Sequence, residues 1–124
     1  MLLVKVCLLL AAFVPLLSAV AAKAGAKGFT NKEPRPWLAS LDGWRARAHA
    51  AQANAFEALP FFYGAVLLAL WSGAQAATLA GLMVAWLILR VLYLLAYIAD
   101  KDRIRSLIWF LSLVVTIRIL FLGA

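Results

Sequence analysis

Two charged residues lie far inside long apolar segments of this 124-residue chain. Glu57 falls within the apolar stretch 46–71, and Arg90 falls within the stretch 76–98. An ionised side chain at the centre of a bilayer costs at least about 2.5–3.5 kcal/mol. Such groups face the interior of a helix bundle or a polar cavity, and they often mark a site for ion or ligand chemistry.

Other polar residues accompany these two at helical spacing, because residues three, four and seven apart lie on one side of a helix. One face of each predicted helix carries three of them: Arg47, Asn54 and Glu57 on the first, and Arg90, Tyr93 and Tyr97 on the second. The two faces predict a common polar site in the half of the bundle next to the charged loops. The alternative is a simple salt bridge between Glu57 and Arg90 that only joins the two helices, although such a bridge would not require the two tyrosines on the second face.

The elements that position these residues are predicted to be membrane-spanning helices. Hydrophobic residues make up 67% of the chain and charged residues only 14%, against about 45–50% hydrophobic in a soluble domain. Lipid leaves each backbone polar group to be satisfied within its own segment, so long apolar runs there are helices. We expect an all-α, four-helix transmembrane bundle that forms one domain over residues 1–124, with spans at about 2–22, 46–71, 76–98 and 105–122.

The distribution of cations predicts the orientation and argues against a nucleic-acid partner. The formal net charge is +7, but the apolar spans divide the cations instead of leaving them on one basic face. They fall in the first and third connections: Lys23, Lys27, Lys32, Arg35, Arg45 and Arg47 in the first, and Lys101, Arg103 and Arg105 in the third. The positive-inside rule then places both charged loops in the cytoplasm and both termini outside.

The first span has a second interpretation as a cleavable signal peptide, because small residues, Ala19 to Ala22, follow its apolar core. Lys5 lies inside the run, and the run is longer than the ~7–15 residues of a signal core. We therefore expect a span.

Small residues recur at every fourth position in the third span, at Ala77, Gly81 and Ala85. A similar but less regular series, Ala51, Ala55 and Ala58, lies in the second span. Such stripes let helices approach closely in lipid, or they are filler in an alanine-rich chain.

Residues 44–62 resemble the second-helix signature of the MAPEG superfamily, the membrane-associated proteins in eicosanoid and glutathione metabolism. The residues that carry the resemblance are Ala51, Gln52, Asn54, Glu57, Pro60 and Phe62. The segment 90–97 is similar to the third helix of such proteins, and Ile104-Arg105-Ser106 to the start of the fourth.

The resemblance implies a homotrimer that binds glutathione as co-substrate between neighbouring subunits, in its cytoplasmic half. The residues that would contact glutathione are Arg47, Asn54, Glu57, Arg90, Tyr93 and Tyr97. Arg105 would stabilise the glutathione thiolate as the catalytic residue, with Arg103 as the competing candidate. Ala50 and Ala53 depart from the family, whose eicosanoid enzymes often carry arginines there.

The leading hypothesis is a membrane glutathione transferase or peroxidase that acts on lipophilic electrophiles, and it is motivated by the two polar helix faces, Asn54 and Glu57 on one and Arg90, Tyr93 and Tyr97 on the other. A non-catalytic lipid-binding or scaffolding trimer is the first alternative, and a small proton-coupled exporter that uses Glu57 is the second. No metal is expected, because Cys7 and His49 do not form a ligand set. Residue usage rich in alanine, leucine and arginine suggests a bacterial inner membrane.

Overall fold

The computed structural model describes residues 1–24, 36–37 and 40–123. Four long helices follow one another: α1 (Leu2–Lys23), α2 (Gly43–Trp71), α3 (Ala76–Ile98) and α4 (Asp102–Leu120). The expected all-α arrangement of four helices is confirmed. The cations Lys27, Lys32 and Arg35 of the first charged loop lie outside the described residues.

Three of these helices are long and apolar enough to cross a membrane. The most apolar stretches of α1, α2 and α3 have mean hydropathies of 2.4, 1.5 and 2.2. The 19 residues of α4 include four charged ones, Asp102, Arg103, Arg105 and Arg118, and α4 is not apolar enough to be counted with the other three. The structure thus supports an integral membrane protein with three candidate spans, and α4 as the fourth span stays a prediction.

Helices α2 and α3 form the centre of the bundle, and each packs against the other and against both remaining helices. Helix α1 lies on one side of this central pair, and α4 lies on the other. Within the described ranges, α1 and α4 do not pack together. Any pocket that involves α4 is therefore built with α2 and α3.

The hydrophobic core is concentrated in the half of the bundle remote from the charged loops. Val4 of α1, Phe62 of α2, Met83 of α3 and Ile119 all belong to one buried cluster there. The Phe62 ring stacks on the indole of Trp86, with 3.8 Å between centroids and 13° between planes. The opposite half holds only a small buried cluster in the described part of the chain, centred on α3, and this leaves room for cavities.

Helix α1 is built into this core. Its Val4, Cys7 and Ala11 are buried, and the Tyr63 hydroxyl of α2 donates a hydrogen bond to the Leu8 carbonyl, 2.8 Å away. At the other end of α1, Arg45 donates to the Ala22 carbonyl at 3.0 Å. These contacts favour the interpretation of α1 as a span of the folded protein.

The two series of small residues behave differently. Ala51 and Ala55 are buried in the bundle, as expected for close helix contacts. Ala77 and Gly81 are exposed, and a Cβ built on Gly81 would meet no atom within 4 Å. The α3 series therefore makes no close helix contact within one protomer at these two positions.

Candidate functional site

Two adjoining cavities lie between α2, α3 and α4, and Asn54 and Trp109 line both of them. The mid-bundle cavity has a volume of about 210 Å³, and its further lining includes Glu57, Phe61 and Arg90. The loop-side cavity has a volume of about 260 Å³, and its further lining is Tyr93, Tyr97, Arg105 and Ser106. Six of the seven residues predicted from the sequence thus line this pair of cavities.

Arg90 is the most deeply buried charged residue in the described chain, with 2% of its surface exposed. Its Nη2 donates a hydrogen bond to Oδ1 of Asn54, 2.5 Å away. Its Nε has almost no accessible surface and no hydrogen-bond partner among the described residues. A guanidinium has five N–H donors and no acceptor, and Arg90 lines the mid-bundle cavity, so donors that Asn54 does not use remain for an anionic ligand there.

Two arginines and two tyrosines form a continuous series that we call the arginine–tyrosine chain. The guanidinium carbon of Arg90 lies 4.4 Å from the centroid of the Tyr93 ring, and that of Arg105 lies 4.4 Å from the centroid of Tyr97. The two rings meet edge to face, with 5.7 Å between centroids and 77° between planes. The chain leads from the middle of the bundle to the α3–α4 connection.

Glu57 lines the mid-bundle cavity but is exposed on the surface of the protomer. Among the described residues its carboxylate makes no hydrogen bond and no ion pair, and Arg90 binds Asn54 instead. The alternative of a simple salt bridge between Glu57 and Arg90 is therefore wrong. Helical spacing places both side chains on one cavity, but it does not specify which polar neighbour each contacts.

Arg47 lies apart from the other predicted residues and lines neither cavity. Its Nε and Nη2 donate hydrogen bonds to the carbonyl of Ile98, at 3.2 and 3.0 Å. The last carbonyls of a helix lack partners within it. Arg47 thus satisfies a carbonyl at the end of α3, and its contact with glutathione stays a prediction.

Arg103 and Arg105 occupy different environments at the start of α4. The side chain of Arg103 is exposed, and its backbone N–H donates to Oδ1 of Asp102 at 2.9 Å. Arg105 is half-buried and lines the loop-side cavity. The geometry therefore favours Arg105 over Arg103 as a residue that contacts a ligand.

The α4 wall of the mid-bundle cavity was missed by the sequence-based prediction. It includes Trp109, Ser112 and Thr116. Both hydroxyls bond to carbonyls of their own helix: Ser112 to Trp109 at 2.7 Å, and Thr116 to Ser112 at 2.9 Å. Positions 105, 109, 112 and 116 follow the spacing of one helix face, and this signal was sufficient to identify them.

The site combines two guanidinium groups, one amide, two phenols and one carboxylate that has no partner among the residues that the structure describes. Such a set is complementary to a ligand that bears both anionic and cationic groups, because the guanidinium groups bind carboxylates and the carboxylate binds an ammonium. Over the described ranges, no group of three or more histidine, cysteine, aspartate or glutamate side chains is arranged to hold a metal ion.

A family model described as the MAPEG family matches residues 3–124. Neither a curated protein nor a solved structure matches the chain. The family match covers α2, α3, α4 and all but the first residue of α1, and it includes every residue of the two cavities. The chain therefore belongs to the MAPEG family.

Proposed function

We propose that the protein is a membrane-bound, glutathione-dependent transferase or peroxidase that acts on lipophilic electrophiles. The observation that carries this proposal is the convergence of Asn54, Glu57, Arg90, Tyr93, Tyr97 and Arg105 on two adjoining cavities. Membership of the MAPEG family supports a function of this general kind.

Glutathione carries two carboxylates, one ammonium and one thiol, and the site offers a partner for each type of group. The Arg90 guanidinium lines the mid-bundle cavity, and the N–H donors that Asn54 does not use can bind a carboxylate. The Glu57 carboxylate, which pairs with no described residue, can bind the ammonium. The remaining donors of the Asn54 amide and the phenol of Tyr93 supply neutral hydrogen bonds. The residues therefore fit glutathione as a co-substrate.

Arg105 supplies the catalytic effect in this proposal. A cation beside a thiol lowers its pKa from about 8.5 and so raises the fraction of thiolate, which is the nucleophile. The thiolate attacks an electrophilic carbon or a peroxide oxygen, and the leaving group departs with the displaced electron pair. A lipophilic electrophile reaches the mid-bundle cavity from the bilayer.

The exposed position of Glu57 supports an oligomer of this chain. A carboxylate in the middle of a 29-residue helix, between the exposed Phe56 and Phe61, would face lipid in an isolated protomer. A second copy of the chain that covers this face removes the free-energy cost of exposing the carboxylate to lipid. We propose a homotrimer in a bacterial inner membrane, with lipid and a lipophilic substrate as its other partners and with both termini outside.

An activity assay on a matched pair of variants tests the proposal. Purified protein should conjugate an aromatic halide to glutathione, and Arg105→Ala should lose about 100-fold in kcat/KM, since charge-assisted contacts contribute about 1.5–3 kcal/mol. Arg103→Ala removes the same charge two residues away and should retain the wild-type rate. The proposal fails if wild type neither binds nor turns over glutathione, or if both variants lose activity equally.

A non-catalytic lipid-binding trimer is the second candidate, and two observations favour it. Ala50 and Ala53 add no cation to the site, and Phe61, Trp86 and Leu113 give the mid-bundle cavity an apolar wall. This candidate predicts that a fatty acid binds with the same affinity whether or not glutathione is present. Competition or cooperation between the two ligands favours the enzyme instead.

A further inference from the structure

The guanidinium of Arg105 is held in place by an aromatic ring alone. Its side chain makes no hydrogen bond and no ion pair within the described part of the chain. The contact that fixes it is the Tyr97 ring, whose centroid lies 4.4 Å from the guanidinium carbon. Arg90 is held similarly by Tyr93, with one added hydrogen bond to Asn54.

An aromatic face holds a guanidinium in a way that a carboxylate does not. A carboxylate would occupy two N–H donors and neutralise the charge, and both are then lost to a ligand. A ring face binds the flat surface of the guanidinium and leaves its N–H donors, which lie in the plane, directed elsewhere. Stacking therefore restricts the side chain while its charge and donors remain available.

The short connection between α3 and α4 sets the relative position of this pair. Helix α3 ends at Ile98 and α4 begins at Asp102, so only three residues separate the helices that carry Tyr97 and Arg105. Asp100 adopts a positive φ of 59° in this turn. The ring is further packed edge to face against Tyr93, which is itself buried.

We propose that Tyr97 is a positioning residue that acts through its ring and not through its hydroxyl. It holds the Arg105 guanidinium over the loop-side cavity with its donors free for the sulfur of the bound thiol. This inference rests on the proposed function and assigns a specific role to one residue of that site. It differs from the expectation that Tyr97 acts by contacting glutathione directly.

Two substitutions at Tyr97 separate the ring from the hydroxyl. Tyr97→Phe keeps the ring and should turn over glutathione and an aryl halide within about twofold of wild type, in both kcat and KM. Tyr97→Leu removes the ring and should lower kcat by about 5- to 30-fold with little change in KM for glutathione, the range expected for a desolvated cation–π contact. Phe110→Leu, which removes an exposed ring of α4 that lines neither cavity, is the control and should match wild type.

The outcomes distinguish this inference from the proposed function. A raised KM for glutathione in Tyr97→Phe would show that the hydroxyl binds the ligand, and wild-type kcat in Tyr97→Leu would show that the ring is dispensable. Either result overturns the positioning role while the transferase proposal survives. If wild type does not turn over glutathione, both are overturned. If Tyr97→Leu aggregates on purification, Tyr97→Met replaces it, because methionine fills more of the space without a ring. The same loss of kcat with little change in KM is expected for it.

Discussion

At the scale of single residues, the environment of Arg90 decides what the site can bind. The guanidinium is buried, its one hydrogen-bond acceptor among the described residues is a neutral amide, and its nearest ring is a neutral tyrosine. Taking a cation out of water is costly unless it is paired. The uncompensated charge of Arg90 therefore favours the entry of an anionic group into the mid-bundle cavity.

We predict that Asn54→Asp separates protein stability from ligand binding. The new carboxylate would retain an acceptor for Arg90 Nη2 and add an ion pair, so resistance to unfolding in detergent should equal or exceed that of wild type. The same carboxylate would neutralise Arg90 and repel an anion, so affinity for glutathione should fall at least about tenfold. Thermal unfolding and equilibrium binding measure the two effects, and tighter binding would contradict the assigned role of Arg90.

Most of this site was predictable from the cost of burying charge. Glu57 and Arg90 were identifiable because they interrupt apolar runs, and Tyr93 and Tyr97 follow from helical spacing. The hydrogen-bond acceptor of Arg47 was not predictable, because periodicity gives the direction of a side chain and not the group that it reaches. Its acceptor is the carbonyl of Ile98, 51 residues away at the end of another helix.

At the scale of helices, cations at the start of α2 connect it to the ends of its neighbours. Arg45 donates to the Ala22 carbonyl near the end of α1, and Arg47 donates twice to the carbonyl of Ile98 in α3. Positive charge is also favourable at a helix C-terminus because of the helix dipole. These contacts fix the end of the bundle at which the loop-side cavity lies.

We predict that Arg47→Ala weakens the fold without weakening ligand contacts. Loss of the two charge-assisted hydrogen bonds should destabilise the protein by about 1–3 kcal/mol. The KM for glutathione should stay within about twofold of wild type, because Arg47 lines neither cavity. Thermal unfolding and steady-state kinetics measure the two effects, with Arg103→Ala as the control for loss of charge. An unchanged stability with a large rise in KM would instead support the sequence-based assignment of Arg47 to the ligand.

The helices themselves were largely evident in the pattern of apolar runs. The start of α2 is the main difference, since it begins at Gly43 and not near Ala46, because the helix continues beyond its apolar segment. The stripe of Ala77, Gly81 and Ala85 shows the limit of such patterns. Close helix contact requires small residues, but small residues do not require close contact.

At the scale of the whole molecule, the two halves of the bundle have different roles. The half that contains the Phe62–Trp86 stack is densely packed by residues from all four helices. The half next to the charged loops holds the arginine–tyrosine chain and the loop-side cavity. This division places a densely packed apolar base beneath a polar site, and in the orientation that we propose this site would face the cytoplasm.

The central claim is that glutathione binds to six side chains that line the two cavities: Asn54, Glu57, Arg90, Tyr93, Tyr97 and Arg105. Calorimetric titration of glutathione into the detergent-solubilised protein tests it most directly. We predict a saturable binding heat for wild type, the same heat for Arg103→Ala, and an affinity at least about tenfold lower for Arg90→Ala, since a charge-assisted hydrogen bond contributes about 1.5–3 kcal/mol. The absence of saturable binding to the wild-type protein would contradict the account.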